Sequence, residues 1–204
     1  MPRAYIRAMS EAVRRGLYIF IAALAVIVGG VLYEQLWLGG AENAAPAVGG
    51  PFSLIDQNGA PRRDTDFRGK VMLVYFGYTN CPDACPTTLQ AIGQTLDLLG
   101  SDASKVQPVF ITIDPARDTP QQLKAYAANF HPGIVYLTGS PDDLKKAESD
   151  YRVYVAKTPQ GTIDDDLFDH SSIIYIMGRD GRYLGEMPSG LPPKVMAATL
   201  QRDL

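Results

Sequence analysis

Only two cysteines occur in the 204-residue chain, so it is not a small domain stapled by a disulfide framework. Histidine is as scarce, with two residues, and any imidazole ligand or base has to be one of them. There is no run of Lys and Arg and no interleaving of basic with aromatic residues. Phosphate binding needs clustered cations, so nucleic acid is excluded as a partner. Repeats and low-complexity tracts are absent. Hydrophobic residues at 46% and charged residues at 20% set aside the disordered and collagen-like classes.

A further absence organises the N-terminal part: no Lys or Arg stands between Arg15 and Arg62. Within that gap Gly16 to Tyr33 is 18 residues without a charge, which as a helix runs about 27 Å, near the thickness of a bilayer's hydrocarbon core. Residues 1–33 carry +3, and the remainder, with 15 basic and 21 acidic residues, carries −6. With Arg14 and Arg15 just before the apolar stretch, the positive-inside rule puts the N-terminus in the cytoplasm. A cleaved signal peptide has a shorter apolar core of about 7–15 residues. The nearest small-residue site, Ala45-Pro46-Ala47, is distant and interrupted by proline. A mitochondrial presequence would be rich in Arg and Ser, and only 15 residues precede the stretch. The expected organisation is a cytoplasmic segment 1–15, an uncleaved transmembrane anchor 16–38, a flexible Gly/Ala linker 39–50 and a globular domain 51–204. The setting is a bacterial inner membrane, crossed once, with the C-terminal domain in the periplasm.

The domain's 154 residues bury roughly 70% of their unfolded surface without disulfides or a structural metal. Any cysteine or metal site is therefore expected to serve function. Asn58-Gly59 signals a hairpin after Phe52 to Ile55. Val71 to Phe76, an unbroken apolar run, predicts a strand covered on both faces, and Leu89, Ile92, Leu96 and Leu99 form one helical stripe after Pro86. Val109 to Ile113 predicts the next strand, Thr119-Pro120 opens a helix, Ile134 to Leu137 is strand-like, and Ser140-Pro141 opens another helix. Val153 to Ala156 also reads as a strand. Ser172 to Met177 and Tyr183 to Glu186 flank a turn at Arg179-Asp180-Gly181, and Pro192 to Leu200 closes as a helix. This alternation predicts an α/β domain of thioredoxin-like type, a central mixed sheet flanked by helices, with one N-terminal transmembrane helix.

The sharpest local pattern is Cys81-Pro82-Asp83-Ala84-Cys85-Pro86, between the buried strand and the amphipathic helix. Residues before proline avoid the helical region, so both cysteines are expected extended, with Cys85 the cap and Pro86 the first helical residue. A thiol at a helix N-terminus is expected to ionise below the free value of about 8.5. Three intervening residues favour two sulfurs converging on one ion over the CxxC of disulfide oxidoreductases. His170, in Asp169-His170-Ser171-Ser172 before a late strand, is the candidate third ligand. His131, in Phe130-His131-Pro132-Gly133, reads as a helix terminator. Two thiolates and one imidazole suit Cu(I), and with an added oxygen donor Cu(II). Zinc would need a fourth ligand, with Asp83, Asp114 or Asp169 available. Asp164 to Asp166 lacks the spacing and glycine of a calcium loop and reads as a solvated, mobile loop.

The stretch Gly77-Tyr78-Thr79-Asn80-Cys81-Pro82-Asp83-Ala84-Cys85-Pro86 resembles the signature of the Sco/SenC family. Two more blocks agree in order: Thr112-Ile113-Asp114-Pro115-Ala116-Arg117-Asp118-Thr119-Pro120, and Asp169-His170-Ser171-Ser172 with Tyr175 and Gly181. The resemblance runs from about Phe52 to the end. It departs at Asn80, where the family often has histidine, and at Leu167-Phe168, where Tyr-Thr or Tyr-Val is frequent. It implies a membrane-tethered thioredoxin-fold protein whose copper ligands are Cys81, Cys85 and His170. It also implies a role in assembling the dinuclear copper centre of cytochrome c oxidase subunit II, with copper taken from an upstream periplasmic donor. Asp83 is expected to lie around the ligands or face a partner rather than bind the ion, Asp114 and Arg117 to build the loop under the site, and Asp169 to orient the imidazole. The product of such a chaperone is a metallated partner rather than a converted substrate. The alternative is an enzyme, a thiol-disulfide reductase or peroxidase working through Cys81 and Cys85, or a redox signalling protein with the same pair.

Overall fold

The computed structural model describes residues 11–33, 48–158, 167–170 and 172–204, with backbone alone for residues 12, 32, 156–158 and 167–170. The chain divides into two compact units, Met1–Pro46 and Ala47–Leu204. In the first, helix α1 spans Glu11–Tyr33, so Arg14 and Arg15 lie on it. Val13–Val31 has a mean hydropathy of 1.7 and is long and apolar enough to cross a membrane by length and composition. Its apolar side chains, among them Ile19, Phe20 and Val26, are exposed, the pattern of a helix that needs an apolar surrounding. The proposed anchor's last residues, 34–38, and most of the linker lie outside the described residues.

The second unit is a seven-stranded mixed sheet. Strands β1 (Ser53–Asp56) and β2 (Pro61–Arg63) form the Asn58-Gly59 hairpin, and Gly59 supplies its positive φ of 80°. Strand β3 (Val71–Gly77) leads to helix α2 (Ala84–Leu99), β4 (Val106–Thr112) to α3 (Pro120–Ala127), and β5 (Val135–Thr138) to α4 (Pro141–Tyr151). Short strands β6 (Val155–Thr158) and β7 (Leu167–His170) pair with each other, and β8 (Ile173–Met177), β9 (Tyr183–Pro188) and helix α5 (Pro193–Leu200) complete the chain. The main sheet runs β2-β1-β5-β4-β3-β8-β9. Strands β3, β4 and β5 are parallel, while β1, β8 and β9 run antiparallel to their neighbours.

Every residue of β3 is buried, because helices cover both faces of the sheet. Side chains alternate across a strand, so Val71, Leu73 and Tyr75 meet Leu89, Ile92 and Leu96 of α2 and Met196 and Leu200 of α5. Met72, Val74 and Phe76 meet Leu144, Ala147 and Tyr151 of α4 on the other face. The helix starts read from the sequence are present: the Thr119 side chain accepts from Gln122 N at 3.2 Å and that of Ser140 from Asp143 N at 3.2 Å, each with proline next. The α/β mixed sheet flanked by helices is as expected. One element differs: Leu167–His170, read as loop, is a strand. Val155 pairs with His170 and Thr158 with Leu167, and that backbone ladder outweighs a sequence with no hydrophobic alternation.

Candidate metal centre

The site begins where β3 ends. Gly77 closes the strand and its carbonyl accepts from Ile113 N at 2.9 Å, tying it to the chain leaving β4. The loop that follows is pinned from below by Asp118. This carboxylate is 0% exposed and accepts from Thr79 N at 3.0 Å and from the hydroxyls of Thr79 and Thr112. Burial pushes the Asp118 carboxyl up, against the lowering by its hydroxyl and amide donors. Arg117 Nε pairs with Asp114, whose N–H donates to Thr112 Oγ1 at 2.9 Å. Asp114 and Arg117 pair with each other, and Asp114 with Thr112, and the residue that touches the cysteine loop is Asp118. A cleft of about 320 Å³ beside the loop is lined by Thr79, Asn80, Arg117 and Gln122.

Helix α2 starts one residue before Cys85, with Asp83 as its cap and Ala84 as its first residue. Cys85 therefore lies in the first turn, not at the cap, and the expected extended conformation is corrected. Pro86 is accommodated because first-turn N–H groups have no intrahelical partner to lose. Seating the Cys85 sulfur in the core offsets the local preference of a residue before proline. Cys85 is 0% exposed and part of the core between β3 and α2. Cys81 stays in the loop, partly exposed, touching the cores on both faces of the sheet.

Neither cysteine is in a disulfide. The Cys85 N–H donates to Cys81 Sγ at 3.4 Å, so the helix start serves the first sulfur rather than the second. The expected lowering fails for Cys85: its hydrogen bond with Cys81, and then burial, push its thiol up. Gly77 makes room for this sulfur, since a Cβ there would stand 2.8 Å from Cys85 Sγ. Tyr75, on the same face of β3, places its hydroxyl 3.7 Å from Cys85 Sγ. Sequence reading assigned no role to Gly77, Tyr75 or Asp118. Two-residue alternation along β3 from Tyr75 to Gly77 toward the helix face is the signal that points to the first two.

The third candidate, His170, ends β7, with its backbone opposite Val155. Its side chain, and that of Asp169, lie outside the described residues, as do residues 159–166 with Asp164 to Asp166. Its backbone position is informative. Ile174 of β8 pairs with Tyr75 in an antiparallel register, so the chain entering β8 lies at the end of the sheet from which the Cys81 loop leaves. His131 belongs elsewhere: its Nδ1 accepts from Gly133 N at 3.0 Å in the turn after α3, and Nε2 faces Asp97 at 3.6 Å. Asp83 is exposed and within reach of the Thr87 hydroxyl. Among the described residues no carboxylate joins the two thiols, Asp83 and Asp114 included. Two sulfurs side by side, one open to solvent, can hold a soft ion or close into a disulfide.

A model of the SCO1/SenC family matches residues 40–204. The chain belongs to the SCO1/SenC family. It is 43% identical over 138 residues to a SCO2-like protein of Rickettsia prowazekii, spanning 67% of each chain. Mitochondrial SCO1 of Saccharomyces cerevisiae is 43% identical over 141 residues, 68% of this chain and 48% of the yeast protein. Among solved structures, Bradyrhizobium japonicum ScoI with copper bound has 44% identity and a TM-score of 0.72, covering 78% of this chain and 100% of that one. Yeast Sco1 with copper bound has 39% identity and a TM-score of 0.70 over 77% of this chain and 88% of the yeast chain. The thioredoxin-like Sco fold expected from the three motifs is the fold of this chain.

Proposed function

We propose that this Sco-family chain is a membrane-anchored copper chaperone. It takes one copper ion from an upstream periplasmic donor on Cys81, Cys85 and His170 and passes it to the dinuclear copper centre of cytochrome c oxidase subunit II during assembly. Copper here is cargo. The observation that carries the reading is the adjacent pair of cysteines at the start of α2, outside any disulfide, one buried and one partly exposed. Two thiolates with an imidazole form a soft, three-donor set that suits Cu(I), and an oxygen donor extends it to Cu(II). The start of β8, which follows His170 in the chain, lies at the same end of the sheet as the cysteine loop and supports the third ligand, and relatives solved with copper bound support the metal.

Residues 1–15 lie in the cytoplasm in this reading, 16–38 are the anchor in a bacterial inner membrane, 39–50 the tether and 51–204 the periplasmic copper domain. The apolar helix α1, with Arg14 and Arg15 at its start, supports that orientation. The tether lets the domain reach a membrane-bound oxidase subunit.

A second reading, a thiol-disulfide reductase acting on the subunit's cysteines, is favoured by the unequal exposure of Cys81 and Cys85. The two separate when the purified chain is mixed with the copper domain of subunit II. A chaperone, loaded with copper, builds the dinuclear centre's absorption in the reduced, metal-free domain, and His170→Ala loses that transfer. A reductase, free of copper, reduces the oxidised domain at a rate that His170→Ala leaves unchanged. Absence of transfer from the loaded chain contradicts the chaperone.

A further inference from the structure

The strand beneath the two thiols carries a polar group of its own. Tyr75 is 1% exposed, lies beside Phe110 of β4 and Ile174 of β8 in the sheet register, and packs its ring on that of Phe110 at 6.1 Å. The ring is therefore held in place, and its hydroxyl sits 3.7 Å from Cys85 Sγ. Thr88 is a further hydrogen-bond neighbour, but the Thr88 hydroxyl spends its proton on the Ala84 carbonyl at 2.8 Å. Cys81 has a different environment, the Cys85 N–H at 3.4 Å and partial exposure.

A thiolate that binds a metal has no proton. The hydrogen in the Tyr75–Cys85 contact is then the phenol's, and Tyr75 donates to the sulfur. Such a hydrogen bond draws electron density from the ligand and weakens its donation, and the higher oxidation state relies most on that donation. We propose that Tyr75 is a positioning residue for the bound copper, its hydroxyl donating to Cys85 and favouring Cu(I) over Cu(II). The inference rests on the copper reading above.

The test uses the full chain purified in detergent, compared with Tyr75→Phe, Thr88→Val and Tyr136→Phe. The readouts are the thiolate-to-Cu(II) absorption band and the ratio of Cu(I) to Cu(II) affinity by chelator competition. Tyr75→Phe keeps the ring and is expected to lower that ratio about tenfold, the scale of one hydrogen bond onto a charged acceptor. This equals a potential lower by ~59 mV for one electron, with the band moved to longer wavelength. Thr88→Val removes the phenol's competing acceptor and moves the ratio the opposite way. Tyr136→Phe removes a buried hydroxyl of the same aromatic cluster that has no partner among the described residues, and leaves band and ratio unchanged. If Tyr75→Phe matches the unaltered chain, or Tyr136→Phe shifts it as much, the inference is overturned while the copper reading stands. If the unaltered chain develops no thiolate band with Cu(II) and binds no Cu(I), both fall.

Discussion

Gly77→Ala tests whether the Cys85 sulfur is seated on the backbone of β3. The added Cβ would stand 2.8 Å from Cys85 Sγ and 2.8 Å from Phe110 Cε2, against the ~3.5–4.0 Å of an ordinary nonpolar contact. Both neighbours are 0% exposed, and Phe110 is locked by Tyr75, Tyr126 and Tyr136, so neither has room to retreat. Gly77 is not among the positive-φ glycines, and the cost is therefore the contact alone, without backbone strain. Overpacking of this kind costs about 1–3 kcal/mol. At ~2–4 °C per kcal/mol for a unit of this size, a central value of about 2 kcal/mol lowers the melting temperature by roughly 4–8 °C. Copper affinity falls with it, because the sulfur that moves is a proposed ligand. The control is Gly185→Ala in β9, where a Cβ meets nothing within 4 Å. Thermal melts followed by circular dichroism and copper competition titrations read both effects. Melting and copper affinity unchanged in Gly77→Ala, as in Gly185→Ala, would refute the seating.

Asp118→Asn should change the pH dependence of stability. Burial raises the Asp118 carboxyl, so its contribution is complete below the unfolded value of about 3.9 and is lost as pH rises through the raised folded value. Urea midpoints measured from acidic to neutral pH should lose that decline in the variant, and an unaltered slope would contradict it. Tyr136→Phe should stabilise by about 1 kcal/mol, since it removes a buried hydroxyl that has no partner among the described residues. A lower urea midpoint would show that the hydroxyl is satisfied after all.

The main elements were legible because each rests on local chemistry. An unbroken apolar run from Val71 to Phe76 declared a strand covered on both faces, and Thr119-Pro120 and Ser140-Pro141 declared helix starts through a hydroxyl cap and a proline with no N–H to lose. The start of α2 was misplaced because the rule for residues before proline is local, while the position of Cys85 is decided by burial against Tyr75 and Gly77. Strand β7 was invisible for the same kind of reason: its evidence is the ladder to β6, a pairing across the chain. Asp118 stood in a motif without a role, since nothing in Arg117-Asp118-Thr119 tells that Thr79, 39 positions away, closes on it. The thiol pair was plain from spacing. Their inequality needed the fold.

The most direct measurement of the central claim is X-ray absorption at the copper edge on the Cu(I)-loaded full chain and its His170→Ala variant. The account predicts one copper per chain held by two sulfurs and one nitrogen, with the nitrogen lost in the variant and both sulfurs kept. A site with fewer than two sulfurs, or one whose nitrogen persists without His170, would contradict it.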